Sequence, residues 1–293
     1  MFKGFIISNN LGQIIENSSF KELTTIKIGG RIKYLYIPKN IEALQRAYKY
    51  INENNLKYFI LGNGSNVLAR DYDYDGIVIL LNKLNSNIKY LDGYIEVNAF
   101  TSCNKLVNEL CERNLGDLSY LAGIPGLIGG AIYNNCGSFG ESISKNVIAV
   151  SYIDTNGIIQ TIDNKSCAFG YRRSVFHYIE GIIIEVLLEV HEINTKEKIE
   201  KNIKNRKESQ PISSKSMGSI FKNNPLIPSW KIIDALGLRG FQIGNAQVSQ
   251  KHANFIINLG DAKSNDVMNL IELIETRARL ELGIRLVREI TIV

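Results

Sequence analysis

The sequence predicts an α+β protein of two domains, and three observations carry that prediction. Its 293 residues exceed the roughly 100–200 that a single domain usually holds. Strand and helix periodicities alternate early as a β-α-β unit and then give way to hairpin signals. A charged helical stretch over residues 196–209, stopped by Pro211, precedes a last third of different pattern. The division is expected at residues 1–197 and 198–293.

Each element has its own signal. Residues 32–37 alternate and read as a strand; Pro38, Lys39 and Asn40 then open a helical pattern through Ile41, Leu44, Ala47, Tyr48 and Ile51. Residues 58–61 form a short apolar strand that runs into Gly62-Asn63-Gly64-Ser65-Asn66. Residues 76–81, 88–91 and 94–99 read as strands. Thr101 is placed to cap a helix whose stripe is Leu106, Val107, Leu110 and Cys111. Residues 147–153 and 158–162, joined through Asp154-Thr155-Asn156-Gly157, carry a hairpin signal. Residues 182–190 are a strand, 229–236 a short helix closed by Gly237, and 255–258 a strand. A long helix is predicted over residues 264–282, with Asp266 in its first turn, Gly283 at its end and Val267, Leu270, Ile271, Ile274, Ala278 and Leu282 on one face. Residues 284–293 alternate and predict a closing strand.

Composition excludes several classes. Hydrophobic residues are 45% and charged residues 22%, which rules out global disorder. A net charge of +5 suits an anionic small molecule and is weak support for a nucleic-acid partner. Cys103, Cys111, Cys136 and Cys167 form no CxxC pair, as expected in a reducing compartment. His177, His191 and His252 are too scattered for a histidine metal site, so no metal is expected. The N-terminus lacks the apolar core of a signal peptide, and the longest apolar runs are strand-sized, short of a membrane span. The expectation is a cytoplasmic protein without membrane insertion, its oligomeric state open.

Two glycine-rich stretches point to a ligand. Short side chains after the strand at 58–61 let backbone N–H groups approach a phosphate, and Ser65 and Asn66 add donors. An ordinary β-turn is the competing reading. The second stretch, residues 121–140, supplies another backbone surface for one extended ligand. Neither is a G-x-G-x-x-G after a strand or a G-x-x-x-x-G-K-[ST], so Rossmann and P-loop readings fail.

Several motifs then occur in one order: residues 17–30 with Thr24, Ile28, Gly29 and Gly30, followed by 61–68, 122–140, 170–176, 218–225, 237–257 and Arg288-Glu289. Together they resemble the UDP-N-acetylenolpyruvoylglucosamine reductase (UDP-N-acetylmuramate dehydrogenase) family, flavoenzymes of peptidoglycan precursor synthesis. The resemblance implies a bipartite FAD-binding domain of the vanillyl-alcohol-oxidase (PCMH) type plus a smaller α+β substrate-binding domain. The direct run from residues 218–225 into a compact C-terminal region resembles the shorter type II subclass. Implied too are FAD, NADPH as hydride donor and a UDP-sugar substrate. No histidine or cysteine sits where a covalent flavin link can be argued, so FAD is expected to be non-covalent. Its contacts are expected at Gly62, Asn63, Gly64, Ser65, Asn66, Gly123, Pro125, Gly126, Gly129, Gly130, Asn135 and Gly137.

The same resemblance assigns roles. Gly170-Tyr171-Arg172-Arg173-Ser174-Val175-Phe176 matches a Y-R-x-S-x-F element, which makes Arg172 catalytic, a permanent cation suited to a carboxylate. A solvated arginine pair is the alternative, and Arg173 keeps it. Gly218-Ser219-Ile220-Phe221-Lys222-Asn223 matches G-S-x-F-K-N, with Ser219 as proton donor; a helix cap is the competing reading. Arg288-Glu289 matches the element carrying a catalytic glutamate. In an alternating strand Glu289 shares a face with Val287 and Thr291, a partly apolar setting suited to acid–base work; a salt bridge to Arg288 or Arg285 is the alternative. Residues 246–255 match A-x-V-S-x-x-H-A-N-F. Substrate contacts are accordingly expected at Tyr171, Lys222, Asn223, His252 and Asn254, with a surface lysine and a structural histidine as the plainer readings of Lys222 and His252. Phe139 and Met217 depart from the family pattern; a tyrosine is frequent at the first position, and any hydroxyl contact from it is lost. Two other functions stay open: a related FAD oxidoreductase acting on a different hydroxy acid or sugar, and a non-catalytic nucleotide-sugar binding module.

Overall fold

A computed structural model describes every residue except Asp117 and Pro225, the latter being the last residue of the 218–225 motif. The chain opens with α1 (Phe2–Ser8), β1 (Gly12–Ile15), β2 (Ser18–Ser19), α2 (Phe20–Leu23), β3 (Arg31–Pro38), α3 (Ile41–Glu53), β4 (Tyr58–Leu61), β5 (Val67–Leu68) and β6 (Tyr74–Leu80). Then come β7 (Ile88–Leu91), β8 (Tyr94–Asn98), α4 (Cys103–Glu112), α5 (Ile128–Tyr133), β9 (Gly137–Ser138), β10 (Glu141–Ser142), β11 (Val147–Ile153), β12 (Ile159–Asp163) and β13 (Ile182–Glu189). The last part holds α6 (Lys196–Ser209), β14 (Lys215–Ser219), α7 (Ser229–Ala235), β15 (Gln242–Ile243), β16 (Ala246–Val248), β17 (Phe255–Asn258), α8 (Ser264–Leu282) and β18 (Thr291–Ile292). No helix among the described residues is long and apolar enough to cross a membrane.

Two compact units result, and neither is contiguous in sequence. Met1–Glu16, Lys33–Asn63 and Asp75–Lys204 form the first; Asn17–Ile32, Gly64–Tyr74 and Asn205–Val293 form the second. A single cut at 197/198 therefore misses two N-terminal segments that belong with the C-terminal chain. The cause is burial: Ile26, Ile28 and Leu68 share one apolar core with Met217, Ile256 and Ile271.

In the first unit, β4 runs parallel to β6, with Tyr58 opposite Ile77 and Leu61 opposite Leu80. Leu44, Ala47, Tyr48 and Ile51 of α3 are buried, and the Asn40 side chain caps it by accepting from the Ala43 amide at 2.8 Å. A second, antiparallel sheet follows the order β12-β11-β13-β8-β7. Helix α4 is capped by Ser102, whose hydroxyl accepts from the Lys105 amide at 3.1 Å. Thr101, expected as the cap, instead lends its carbonyl to the Ile128 amide, and its buried hydroxyl has no partner.

In the second unit, β14-β17-β16-β15 form an antiparallel sheet, and β18 pairs with β5 in parallel. Helix α8 spans the predicted residues and ends at Gly283 with φ 68°. The predicted closing strand over 284–293 is regular only at Thr291–Ile292. The segment changes partner within it: an isolated bridge joins Arg288 to Phe221, while Thr291 pairs with Val67. Helices α1 and α2 and strands β14, β15 and β16 had no prediction from periodicity.

Candidate active site

The turn after β4 falls across the two units, with Gly62 and Asn63 closing a segment of the first and Gly64 opening one of the second. Within the first unit, Asn63 reaches the other glycine-rich stretch: its Nδ2 donates to the Pro125 carbonyl at 3.0 Å. A Cβ on Gly62 would lie 3.2 Å from Leu127 Cδ1. Among the described residues, the amides of Gly62, Asn63, Gly126 and Leu127 donate to no protein acceptor. Gly123 is exposed, and its loop is tied to α4 by Asn104, whose Oδ1 accepts the Gly123 amide at 2.7 Å. Gly130 is also exposed, and a Cβ there would meet nothing within 4 Å. Unspent backbone donors on two glycine-rich loops fit the diphosphate of a dinucleotide cofactor. Asn82 adds a polar atom without a partner: its Nδ2 donates to Asn63 Oδ1 at 3.3 Å and its buried Oδ1 accepts from nothing.

Two expected cofactor residues have other duties. Asn135 is 6% exposed; its Nδ2 donates to the Gly170 carbonyl at 2.9 Å and its Oδ1 accepts the Ser144 amide at 3.2 Å. Both ends of its amide are thus engaged inside the protein. Gly137 is buried in the β9–β10 hairpin, where an added Cβ would lie 2.1 Å from the Glu141 carbonyl oxygen. Gly129 packs against Ala99, accounting for the absence of a larger side chain there.

Arg172 stands at the tip of a tight turn closed by reciprocal bonds between Gly170 and Arg173. Its φ is +52°, and Nη2 donates to the Gly137 carbonyl at 2.8 Å. Its guanidinium carbon lies 5.2 Å from the centroid of the exposed Tyr171 ring. Beside this turn Tyr133 stacks on His177, centroids 4.2 Å apart, and Ser174 donates its hydroxyl to the Tyr133 carbonyl at 2.7 Å. Arg173 folds over Gly170 and is exposed. The two adjacent arginines are thus in different environments.

The second unit places Ser219 and Glu289 on hydrogen-bonded neighbouring segments. The Glu289 amide donates to the Ile220 carbonyl at 2.8 Å, and the Lys222 amide to the Val287 carbonyl at 2.8 Å. Ser219 is the last residue of β14, not a helix cap, and follows Gly218 at φ +79°. It is half-buried, and its hydroxyl bonds to no other described residue. Arg288 pairs with Glu275 through two 2.6 Å bonds, so the adjacent guanidinium does not belong to Glu289. Asn66, expected on the cofactor, donates Nδ2 to the Glu289 carbonyl at 3.1 Å and accepts the Thr291 amide at 2.9 Å on its own carbonyl. Gly64 has φ +61°, and a Cβ would lie 2.7 Å from the Leu23 carbonyl oxygen; the fold itself demands glycine there. Ser65 is half-buried beside them.

The expected substrate residues divide. Lys222 is half-buried and Asn223 exposed, although the latter's Oδ1 accepts the Ser229 amide at 3.2 Å. His252 lies between Trp230 and Phe255, with centroids at 6.3 and 4.9 Å. Its Nδ1 is buried without a partner, and burial, reinforced by Arg239, lowers its pKa and favours neutral imidazole. Asn254 is 2% exposed with both ends of its amide bound to Phe221. Asn82, Asn104 and Glu275 carried no sequence signal; only the folded chain brings them to these loops.

Residues 210–293 match the family described as UDP-N-acetylenolpyruvoylglucosamine reductase, C-terminal domain, and residues 32–163 match an FAD binding domain. The UDP-N-acetylenolpyruvoylglucosamine reductase of Bacillus licheniformis is 34% identical over 97% of this chain and 95% of its own. That of Thermotoga petrophila is 38% identical over 92% and 95%. The crystal structure of the reductase from Thermus caldophilus superposes with a TM-score of 0.79 at 31% identity, covering 96% of this chain and 99% of that one. A glucose dehydrogenase, Phl p 4.0202, shares the fold alone, with a TM-score of 0.50 at 14% identity over 65% of this chain and 44% of its own.

Proposed function

Because the chain belongs to the UDP-N-acetylenolpyruvoylglucosamine reductase family, we propose that it reduces UDP-N-acetylglucosamine enolpyruvate to UDP-N-acetylmuramate, with FAD bound non-covalently and NADPH as hydride donor. The observation that carries the chemistry is the bonded pairing of the Ile220 and Glu289 backbones. It sets a serine hydroxyl and a carboxylate on adjoining segments. The first unit is read as the cofactor unit and the second as the substrate unit.

FAD, when bound, supplies the two-electron chemistry that no side chain offers. The amides of Gly62, Asn63 and Gly126 would hold its diphosphate, with Gly123 and Gly130 giving room. Reduction of the enolpyruvyl double bond leaves negative charge on the carbon bearing the carboxylate, and that carbon needs a proton. Arg172 stabilises the charge through a cation that cannot be lost at working pH. Ser219 donates the proton; a carbanion conjugated to a carboxylate is basic enough to take it from a hydroxyl. Glu289 stands beside that serine's strand as the second acid–base group. Tyr171, Lys222, Asn223 and His252 are the side chains this reading gives to the UDP-sugar. Free cysteines at 103, 111, 136 and 167 suit a reducing compartment, the cytoplasm.

The experiment separates the half-reactions by stopped flow. Ser219→Ala should be reduced by NADPH at near wild-type rate, because that step delivers no proton to carbon. Its reoxidation by the enolpyruvyl substrate should slow by at least ~10²-fold, the low end for losing a positioned general acid. Unchanged reoxidation would remove Ser219 from the mechanism.

A further inference from the structure

The strand that presents Ser219 is not held by an ordinary ladder. β14 and β17 lose register between Ser216 and Ser219, where Gly218 turns into the left-handed region at φ +79°. Beyond that break Ser219 pairs with Phe255, and the next two residues bond to Asn254. The Ile220 amide donates to the Asn254 carbonyl at 2.9 Å. The Phe221 amide donates to Asn254 Oδ1 at 3.0 Å, and Asn254 Nδ2 donates back to the Phe221 carbonyl at 2.8 Å. On its other edge the same segment bonds to Val287 and Glu289. Asn254 itself is 2% exposed, so no substrate atom can reach its amide.

We infer that Asn254 is a positioning residue: its side-chain amide extends the pairing past the end of β14 to Phe221 and fixes residues 219–221 against the Glu289 segment, thereby aiming the Ser219 hydroxyl. The amide is suited to this because it donates and accepts at once, matching one peptide group in both directions. Without it, a buried N–H and a buried C=O lose their partners, and the segment must shift to find others. A displacement of about 1 Å at a reacting group can cost ~10²-fold in rate. This inference rests on the assignment of Ser219 as proton donor.

The test uses the full chain with FAD, measured in each half-reaction. Asn254→Ala should keep reduction by NADPH within about twofold and slow reoxidation by substrate about 10- to 100-fold, with the substrate KM held and kcat lowered. Added to Ser219→Ala, it should slow reoxidation no further, since one group cannot be misaimed after its removal. Asn254→Asp is the second variant, in case the alanine chain fails to fold. A protonated carboxyl can both accept and donate as the amide does, whereas a carboxylate only accepts. Reoxidation by this variant should therefore recover as pH falls, while wild type lacks that recovery. A raised KM with unchanged kcat, equal slowing of both half-reactions, full additivity with Ser219→Ala, or a pH-independent Asp variant would each overturn the inference. Normal reoxidation in Asn254→Ala with slow reoxidation in Ser219→Ala defeats positioning alone. The reverse pattern defeats the serine assignment, and positioning through it falls too.

Discussion

Arg172 holds a positive φ of +52°, a conformation that non-glycine side chains keep only when their surroundings impose it. Here the Gly170–Arg173 turn and the bond to the Gly137 carbonyl impose it. Lysine would retain the charge and lose the planar fork. Arg172→Lys is accordingly expected to lower turnover ~10²-fold or more, the scale of losing one preorganised charge donor, and Arg173→Lys to change it little. Steady-state NADPH oxidation with the enolpyruvyl substrate measures both; equal losses would show that the wrong arginine was chosen. Glycines give a second test. Valine at Gly64 collides with the Leu23 carbonyl, so loss of flavin there would report only a damaged fold. A Cβ at Gly130 meets nothing within 4 Å beyond its own helix. Gly130→Val should fold with ordinary thermal stability yet purify with little flavin absorbance, whereas normal flavin content would move the cofactor away from that face.

At the scale of elements, the helix caps separate what the sequence reveals from what it hides. Ser102→Ala should cost about 1 kcal/mol of unfolding free energy by removing the bond to the Lys105 amide. Thr101→Val removes a buried hydroxyl that has no partner and should be neutral or stabilising in urea titrations of the apoprotein. Both residues are good cap formers, and nothing in the sequence chooses between neighbours one position apart. Long elements were legible: α3 and α8 occupy the predicted spans because their periodicity and end signals agree, and α6 because its charged run is stopped by Pro211. The strand expected over 284–293 was not, because alternation says which face is apolar but cannot reveal that the segment leaves Phe221 for Val67 partway along. The candidate site divides in the same way. Motifs single out Arg172, Ser219 and Glu289, whereas the asparagines expected on ligands, Asn135 and Asn254, turn their amides to the protein backbone. An amide that clamps backbone and one that binds ligand look identical in a sequence; only burial and partners tell Asn135 and Asn254 from a surface asparagine.

At the scale of the whole molecule, the division of the chain makes a prediction that the contiguous boundary would not. If residues 198–293 were a domain, they should fold when expressed alone. The second core argues against it. Ile26, Ile28 and Leu68 are each at most 1% exposed and come from the N-terminal segments. At about 1.5–3 kcal/mol for each buried aliphatic side chain, their absence removes roughly 5–9 kcal/mol, comparable with the 5–15 kcal/mol that stabilises an ordinary domain. Specific bonds vanish with them. β18 loses its partner β5. The Asn258 amide loses the Ile26 carbonyl at 2.9 Å. The first turn of α8 loses Asp71, whose carboxylate accepts from the Ser264 amide and hydroxyl at 2.7 and 2.9 Å. The fragment 198–293 should therefore show a weak, non-cooperative urea transition by far-UV circular dichroism. Residues 17–32 and 64–74, joined to residues 205–293 through flexible Gly/Ser linkers, should restore a cooperative one. A sharp two-state transition in the bare fragment would mean that the C-terminal chain carries its own core and that the N-terminal segments are additions to it.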